Sequence, residues 1–392
     1  MPPAQNGAVA LDEARAVVKV FSPSRLALAR KAAGLQKRQL ADALGKSSAA
    51  VTQFELGQAK PSAETLLECS KTLGVPVSFF ALGRAQLRLD TSAAHFRSLR
   101  ATRAYQRDQA LAFVELLWEA LEKIEQVIEL PPVQLPTLTA AERQAGPSPA
   151  AALLRAHWDL PSGPIFHLVR QCEAHGIVVS ILPPTSLADA SGQPPEHAAG
   201  VGNIDAFSAT TSQRPIVVLT GVKGGILRRR FNIAHEVGHL ILHRDALPGD
   251  QIQEREANTF AAEFLMPAEV MRDELPLKPD LEELMLLQKK WGVSVSALAY
   301  RARSLGVFTE SQHRRVMIAI SQLGWRTHEP EDTGQLGDEE PALLARAAEL
   351  GSENGLSLAQ MARDLSLPLA LVRTLIGIRT KRPRLVIIPG GS

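Results

Sequence analysis

The stretch "FNIAHEVGHLILH", residues 231–243, sets Glu236 between two histidines four positions apart, with a third histidine four residues further on. Four residues advance about 400° round a helix, so His235 and His239 share one face. Val237, Leu240 and Ile241 fall on the other side as core positions, and Gly238 permits close helix packing. Neutral imidazoles at this spacing are natural zinc (Zn2+) ligands, and Glu236 is placed to take a proton from a water at the metal. His243 follows after a further rotation of about 40°. That points it to the rim of such a site, or to capping the helix, rather than to the metal.

A catalytic zinc needs a third protein ligand and an open fourth position. "QEREANTFAAEFLMP", residues 253–267, reads as a second helix with Ala257, Phe260, Ala261 and Phe264 as its buried stripe. Glu254 and Asn258 then lie together on a neighbouring face. Glu254 can complete the ligand set while Asn258 holds one ligand histidine by its other ring nitrogen. Glu256, two residues on, is the alternative carboxylate.

These two helices need a scaffold. Upstream, residues 151–230 supply a helix and then two apolar runs, "GIVVSIL" and "RPIVVLTG", separated by an irregular Gly- and Pro-containing stretch. Both runs read as strands. The histidine helix is expected to begin near Arg229. A Pro-rich segment, 131–150, reads as a linker stiff enough to hold domains apart and long enough to permit reach. Before it, "HFRSLRATRAYQRDQALAFVELLWEALEKIEQVIEL", about 95–130, carries apolar residues at 111, 114, 117, 118, 121, 124 and 128. That period predicts one long packing helix or dimer seam.

The N-terminal part is a different kind of unit. Between Ser22 and Phe80 eight Lys or Arg face four acids, although the whole chain of 392 residues carries a formal net charge of only +2. A small basic unit on a slightly acidic body fits a nucleic-acid contact at one end. Gly34, Gly45, Ser47 and Pro61-Ser62 punctuate five short helices whose apolar positions include Leu26, Leu40, Val51, Phe54 and Leu66. At the C-terminal end, "GLSLAQMARDLSLPLALVRTLIGIRTKRPRLVII", 355–388, gives two short amphipathic segments and a basic strand-like tail, read as an interaction or packing module.

Composition narrows the classes. Hydrophobic content of 45% and charged content of 21% are those of a folded domain protein. The two cysteines, Cys69 and Cys172, support neither a disulfide framework nor a thiolate zinc site. No signal-peptide pattern and no bilayer-spanning apolar run is present, so the expectation is a cytoplasmic protein with no membrane contact. The expected fold class is mainly α with a small sheet. The expected organisation is a tail (1–21), a DNA-binding unit (22–82), a connecting helix (83–130), a linker (131–150), the metal-site domain (151–335) and a C-terminal helical module (336–392).

The frames "GLxxxxLAxxLG" and "VxxxExGxxxPS" span about 60 residues of the N-terminal unit, which resembles the XRE family, the Cro and lambda-repressor type of helix-turn-helix. The resemblance implies a five-helix domain on a double-stranded DNA operator. It implies base-edge contacts from Ser48, Ala49, Thr52 and Gln53, phosphate contacts from Lys37, Lys46 and Lys60, and a structural role for Glu55. Lys37 stands where members often carry Gln, which keeps a phosphate contact but loses the amide's second hydrogen bond. "RRFNIAHEVGHLILH" and "EREANTFAAEFLMP", with "WGVSVSALAYRARSLG" and "GWRTHEP" further on, resemble the ImmA/IrrE family of zinc metallopeptidases over about 150–330. That implies a gluzincin-like α+β domain, zinc held by His235, His239 and Glu254, and Glu236 as general base. The family's pattern favours Glu254 over Glu256 because the ligand stands four residues before Asn258. Substrates in that family are typically helix-turn-helix repressors, cleaved in stress or mobile-element responses. The expected function is therefore a DNA-binding regulator, possible as a homodimer, that also cleaves a repressor. The alternative is a transcription factor whose metallopeptidase-like domain only senses a signal.

Overall fold

The computed structural model describes residues 3–81, 83, 94–95, 103–182, 205–210, 214–220, 225–243, 250–326, 329–330, 336–337 and 339–378. The basic tail from 379, the irregular stretch 183–204 and the 96–102 part of the expected long helix lie outside these residues.

The segment expected as a tail is a helix, α1 (Pro3–Lys19). Leu11, Ala14, Val17 and Val18 recur at helical spacing, and Ala14 and Val17 are buried. Helices α2 (Pro23–Ala32), α3 (Lys37–Ala43), α4 (Ser48–Glu55) and α5 (Ala63–Leu73) follow. The fifth expected helix is a single 3-10 turn, Val77–Phe80. Ser47 and Ser62 cap α4 and α5, their hydroxyls accepting from the amides of Ala50 and Thr65 at 3.2 Å.

The long helix is shorter than its apolar period suggested. It runs as α6 (Ala104–Glu125), and Ala94–His95 form a two-residue strand, β1. Nor is α6 a connector. It is buried along most of its length, from Ala110 to Ile124, because α2 packs on one side of it and the C-terminal helices α16 (Leu343–Glu353), α17 (Leu358–Leu365) and α18 (Leu369–Leu375) on another. A buried ion pair between Arg25 of α2 and Glu119 of α6 crosses that contact.

The expected linker is also tied down. Residues 131–136 form neither helix nor strand, and carbonyls along this stretch are taken up by neighbouring side chains. The Trp158 indole N–H donates to the Gln134 carbonyl at 2.7 Å, and Arg214 donates to the carbonyls of Leu130 and Pro131. Gly176 has φ +80°, and a Cβ there would meet the Pro132 carbonyl oxygen at 2.5 Å, so the segment lies hard against the second unit. Thr139 then starts α7 (Ala140–Ala145) with a capping box, and α8 (Pro147–His157) follows.

In the second unit α9 (Leu168–Ala174) leads into β2 (Val178–Leu182), β3 (Ala206–Thr210) and β4 (Pro215–Thr220). The sheet order is β1-β3-β4-β2, with β2 parallel to β4 and the other pairs antiparallel. β2 and β4 were legible as continuous apolar runs because the sheet is buried on both faces. Val179, Val217 and Leu219 face the core formed with α10 (Ile226–Leu242) and α11 (Gln251–Leu265). Val178, Phe207, Ile216 and Val218 face the core shared with α6 and the N-terminal helices. Helices α12 (Ala268–Glu274), α13 (Leu281–Trp291), α14 (Val295–Ser304) and α15 (Glu310–Gln322) complete the unit.

Two buried arginines set the ends of the site helices. Arg230 of α10 donates to the carbonyls of Gly292 (2.9 Å) and Ile165 (2.6 Å) and pairs with Glu339. Glu339 also accepts from the amides of Leu168 and Val169, so it joins this unit by contact although it lies past 335, while α16 to α18 pack on α6. Arg301 donates to the Met266 carbonyl at 2.9 Å, fixing the chain where "LMP" ends α11.

Candidate functional site

α10 and α11 cross closely because Gly238 has no side chain. A Cβ there would stand 3.0 Å from the Phe260 ring of α11. That approach brings the polar stripes of the two helices together. The Nε2 atoms of His235 and His239 are 3.1 Å apart, and each lies 3.5 Å from a different carboxylate oxygen of Glu254. Ligand atoms at about 2.0–2.1 Å from a tetrahedral ion stand about 3.3 Å from one another. The trio's spacing fits such an ion, and its donor set of two imidazoles and one carboxylate is one that zinc accepts.

Both histidines are buried. Burial pushes the His239 pKa down to about 4, so the ring is neutral at pH 7, the form that binds a metal. Burial alone would raise the Glu254 carboxyl, but hydrogen bonds and charge from His235 and His239 bring it down to about 2. The outer nitrogen of His235, Nδ1, faces the Asn258 Oδ1 at 3.1 Å. Glu236 is buried beside the trio, and Ser208 of β3 donates its hydroxyl to Glu236 Oε2 at 2.7 Å. Glu256 is not in the trio. It meets His243 instead, with Oε2 at 2.9 Å from Nε2, and His243 Nδ1 lies 3.0 Å from His239 Nδ1. His243 is buried at the C-cap of α10, inside rather than on the rim. Sequence reading missed Ser208, whose strand "AFSAT" is too short and too polar to stand out, and missed the partners of His243.

In the N-terminal unit α4 buries Val51 and Phe54 and turns Ser48, Ala49 and Gln53 outward, with Thr52 half-buried beside them. The Thr52 hydroxyl donates to the Ser48 carbonyl at 3.0 Å, leaving its methyl and oxygen for any contact outside. Glu55 receives Arg30 of α2 through both carboxylate oxygens, locking α4 onto α2. Lys37 Nζ stands 3.6 Å from the same carboxylate, and Lys46 is exposed in the turn between α3 and α4. Lys60, the third expected phosphate contact, is exposed ahead of α5. Its ammonium donates to the Lys19 carbonyl at 3.0 Å, at the C-terminal end of α1.

Residues 26–80 match the family model for the helix-turn-helix, and residues 172–303 match the peptidase-family model of the IrrE N-terminal-like domain. The chain joins a helix-turn-helix domain to an IrrE-like peptidase-family domain. No curated protein matches the chain. The helix-turn-helix match runs from within α2 to the 3-10 turn, and α1 lies outside it. The IrrE-like match contains every residue of the His–Glu cluster, with Ser208, Asn258, His243 and Glu256. Among the described residues no helix is long and apolar enough to cross a membrane.

Proposed function

We propose that this chain is a DNA-binding transcriptional regulator whose IrrE-like domain is a zinc-dependent endopeptidase acting on a helix-turn-helix repressor. The observation that carries this reading is the convergence of His235, His239 and Glu254 beside a buried Glu236. Those three residues would hold the metal. When bound, zinc supplies Lewis acidity, which lowers the pKa of a water at the open position and polarises the scissile carbonyl. Glu236 accepts the proton of the attacking water and returns it to the leaving amine. Ser208, by donating to one oxygen of Glu236, fixes the plane of that carboxylate. Asn258 orients His235. A protein that only sensed a signal through this domain would have no use for a general base at Glu236.

For DNA, α4 would enter the major groove with Ser48, Ala49, Thr52 and Gln53 at base edges. Lys37 and Lys46 would meet phosphates, and a dimer would read two half-sites about one helical turn apart. Ala49 offers only a methyl group, suited to a thymine methyl.

Bound zinc, measured per chain after purification and dialysis, tests the ligand set. Wild type should hold one ion and Glu256→Ala should still bind one when zinc is supplied in excess, while His235→Ala, His239→Ala and Glu254→Ala should hold none stoichiometrically. Retention of the ion by Glu254→Ala and its loss from Glu256→Ala would overturn the assignment.

A further inference from the structure

α11 supplies a partner for each histidine of α10. Glu254 faces the inner nitrogens of His235 and His239, Asn258 meets the outer nitrogen of His235, and Glu256 meets His243. The outer nitrogen of His239 has a different neighbour, His243 of its own helix, at 3.0 Å. Two imidazole nitrogens at that distance share one proton, so one ring donates and the other accepts. Nothing in the pair alone decides which. Glu256 decides it, because a carboxylate accepts and therefore holds the His243 proton on Nε2, 2.9 Å away. His243 Nδ1 is then bare and accepts from His239 Nδ1–H. The proton of His239 is thereby kept on its outer nitrogen, and the Nε2 lone pair points at His235 Nε2 and Glu254.

We propose that His243 and Glu256 form a positioning relay that fixes the tautomer and ring orientation of His239 for metal binding. The inference rests on the reading that His235, His239 and Glu254 hold zinc. His243 then does for His239, through a ring nitrogen, what Asn258 does for His235 through an amide oxygen. The arrangement also accounts for both residues that spacing alone left ambiguous. Glu256 acts one step behind the metal, and His243 is buried because it sits between two partners rather than at a rim.

Zinc affinity of the full chain, read by competition with a chromophoric chelator, tests this without any substrate. His243→Leu removes the acceptor and should weaken binding about 10–100-fold, the usual effect of losing a partner behind a ligand. His243→Asn places an amide oxygen where Nδ1 was and should stay within a few-fold of wild type. Glu256→Ala, a change at a partly exposed side chain, should weaken binding in the wild-type background. It should have no further effect in the His243→Asn background, where no tautomer remains to be set. A merely structural Glu256 would cost the same affinity in both backgrounds, and that result would overturn the proposal, as would unchanged affinity in His243→Leu. If wild type itself bound no zinc, the reading of the metal site would fall first and this relay with it.

Discussion

Lys46 and Gln53 lie within two turns of each other, yet they would act on DNA by different physics. An exposed lysine meeting a phosphate releases counterions, so Lys46→Ala should weaken binding on every sequence and reduce the slope of log affinity against log salt by about 1. Gln53 on a base edge would contribute about 1–3 kcal/mol of discrimination, so Gln53→Ala should change which sites are preferred and leave the salt slope alone. Lys60→Ala should also leave the slope unchanged, because its ammonium is engaged at the end of α1. Titrations on a selected site and on unrelated DNA at several salt concentrations separate the three. A reduced slope for Lys60→Ala would restore it as a phosphate contact. At this scale spacing along one helix was enough to single out His235, His239, Glu236 and the Glu254–Asn258 pair as candidates, and the fold brings His235, His239 and Glu254 together. Ser208 and the Glu256–His243 contact were not legible, since each depends on which element lies opposite, and no periodicity reports that.

Helix α6 shows what its apolar period left out. The apolar positions 111, 114, 117, 118, 121, 124 and 128 set a helical period, but Phe113, Leu116 and Ala120 are buried as well, so the helix is enclosed and takes the charged Glu119 in with it. Burial, helped by the nearby Glu119 charge, raises the Glu115 carboxyl to about 7, with Arg25 and Lys31 pulling it back. The folded chain therefore keeps a proton that the unfolded chain releases near its ordinary value of 4.5. Between about pH 4.5 and 7 the folded state binds more protons, so stability falls as pH rises through that window and levels off above it. Glu115→Gln removes this dependence. Urea unfolding at pH 5, 6, 7 and 8 should show the variant gaining on wild type up to about pH 7 and no further, whereas a difference constant with pH would contradict a raised, half-buried carboxyl at Glu115. Other elements were harder to read for similar reasons. β3 is short and alternates small and polar residues, and the start of α1, "PAQNGAVA", has little apolar period before Leu11. β2 and β4 were plain because strands covered on both faces run nearly continuously apolar, with Ser180 and Thr220 as their buried polar residues.

In the whole molecule the two matched domains are not beads on a stiff string. One core runs from the N-terminal helices through α6 to the sheet face of Val178, Phe207, Ile216 and Val218, and a second core lies beneath the opposite face. A fragment of about 150–335 would expose that first face, each side chain of which is worth about 1.5–3 kcal/mol when buried. The fragment should therefore unfold at lower temperature than the IrrE-like part of the full chain and should aggregate. A soluble fragment of equal stability would show that the cores are separable. The enzymatic reading is best tried on the intact chain, with zinc-loaded wild type and Glu236→Gln each incubated with helix-turn-helix repressors encoded beside it, and the products mapped by mass spectrometry. Wild type should cut a repressor at a defined bond, and Glu236→Gln, holding the same one zinc, should leave it whole. Equal cleavage by both proteins, or intact repressors with fully zinc-loaded wild type, would contradict the assignment of Glu236 as the base of a working peptidase.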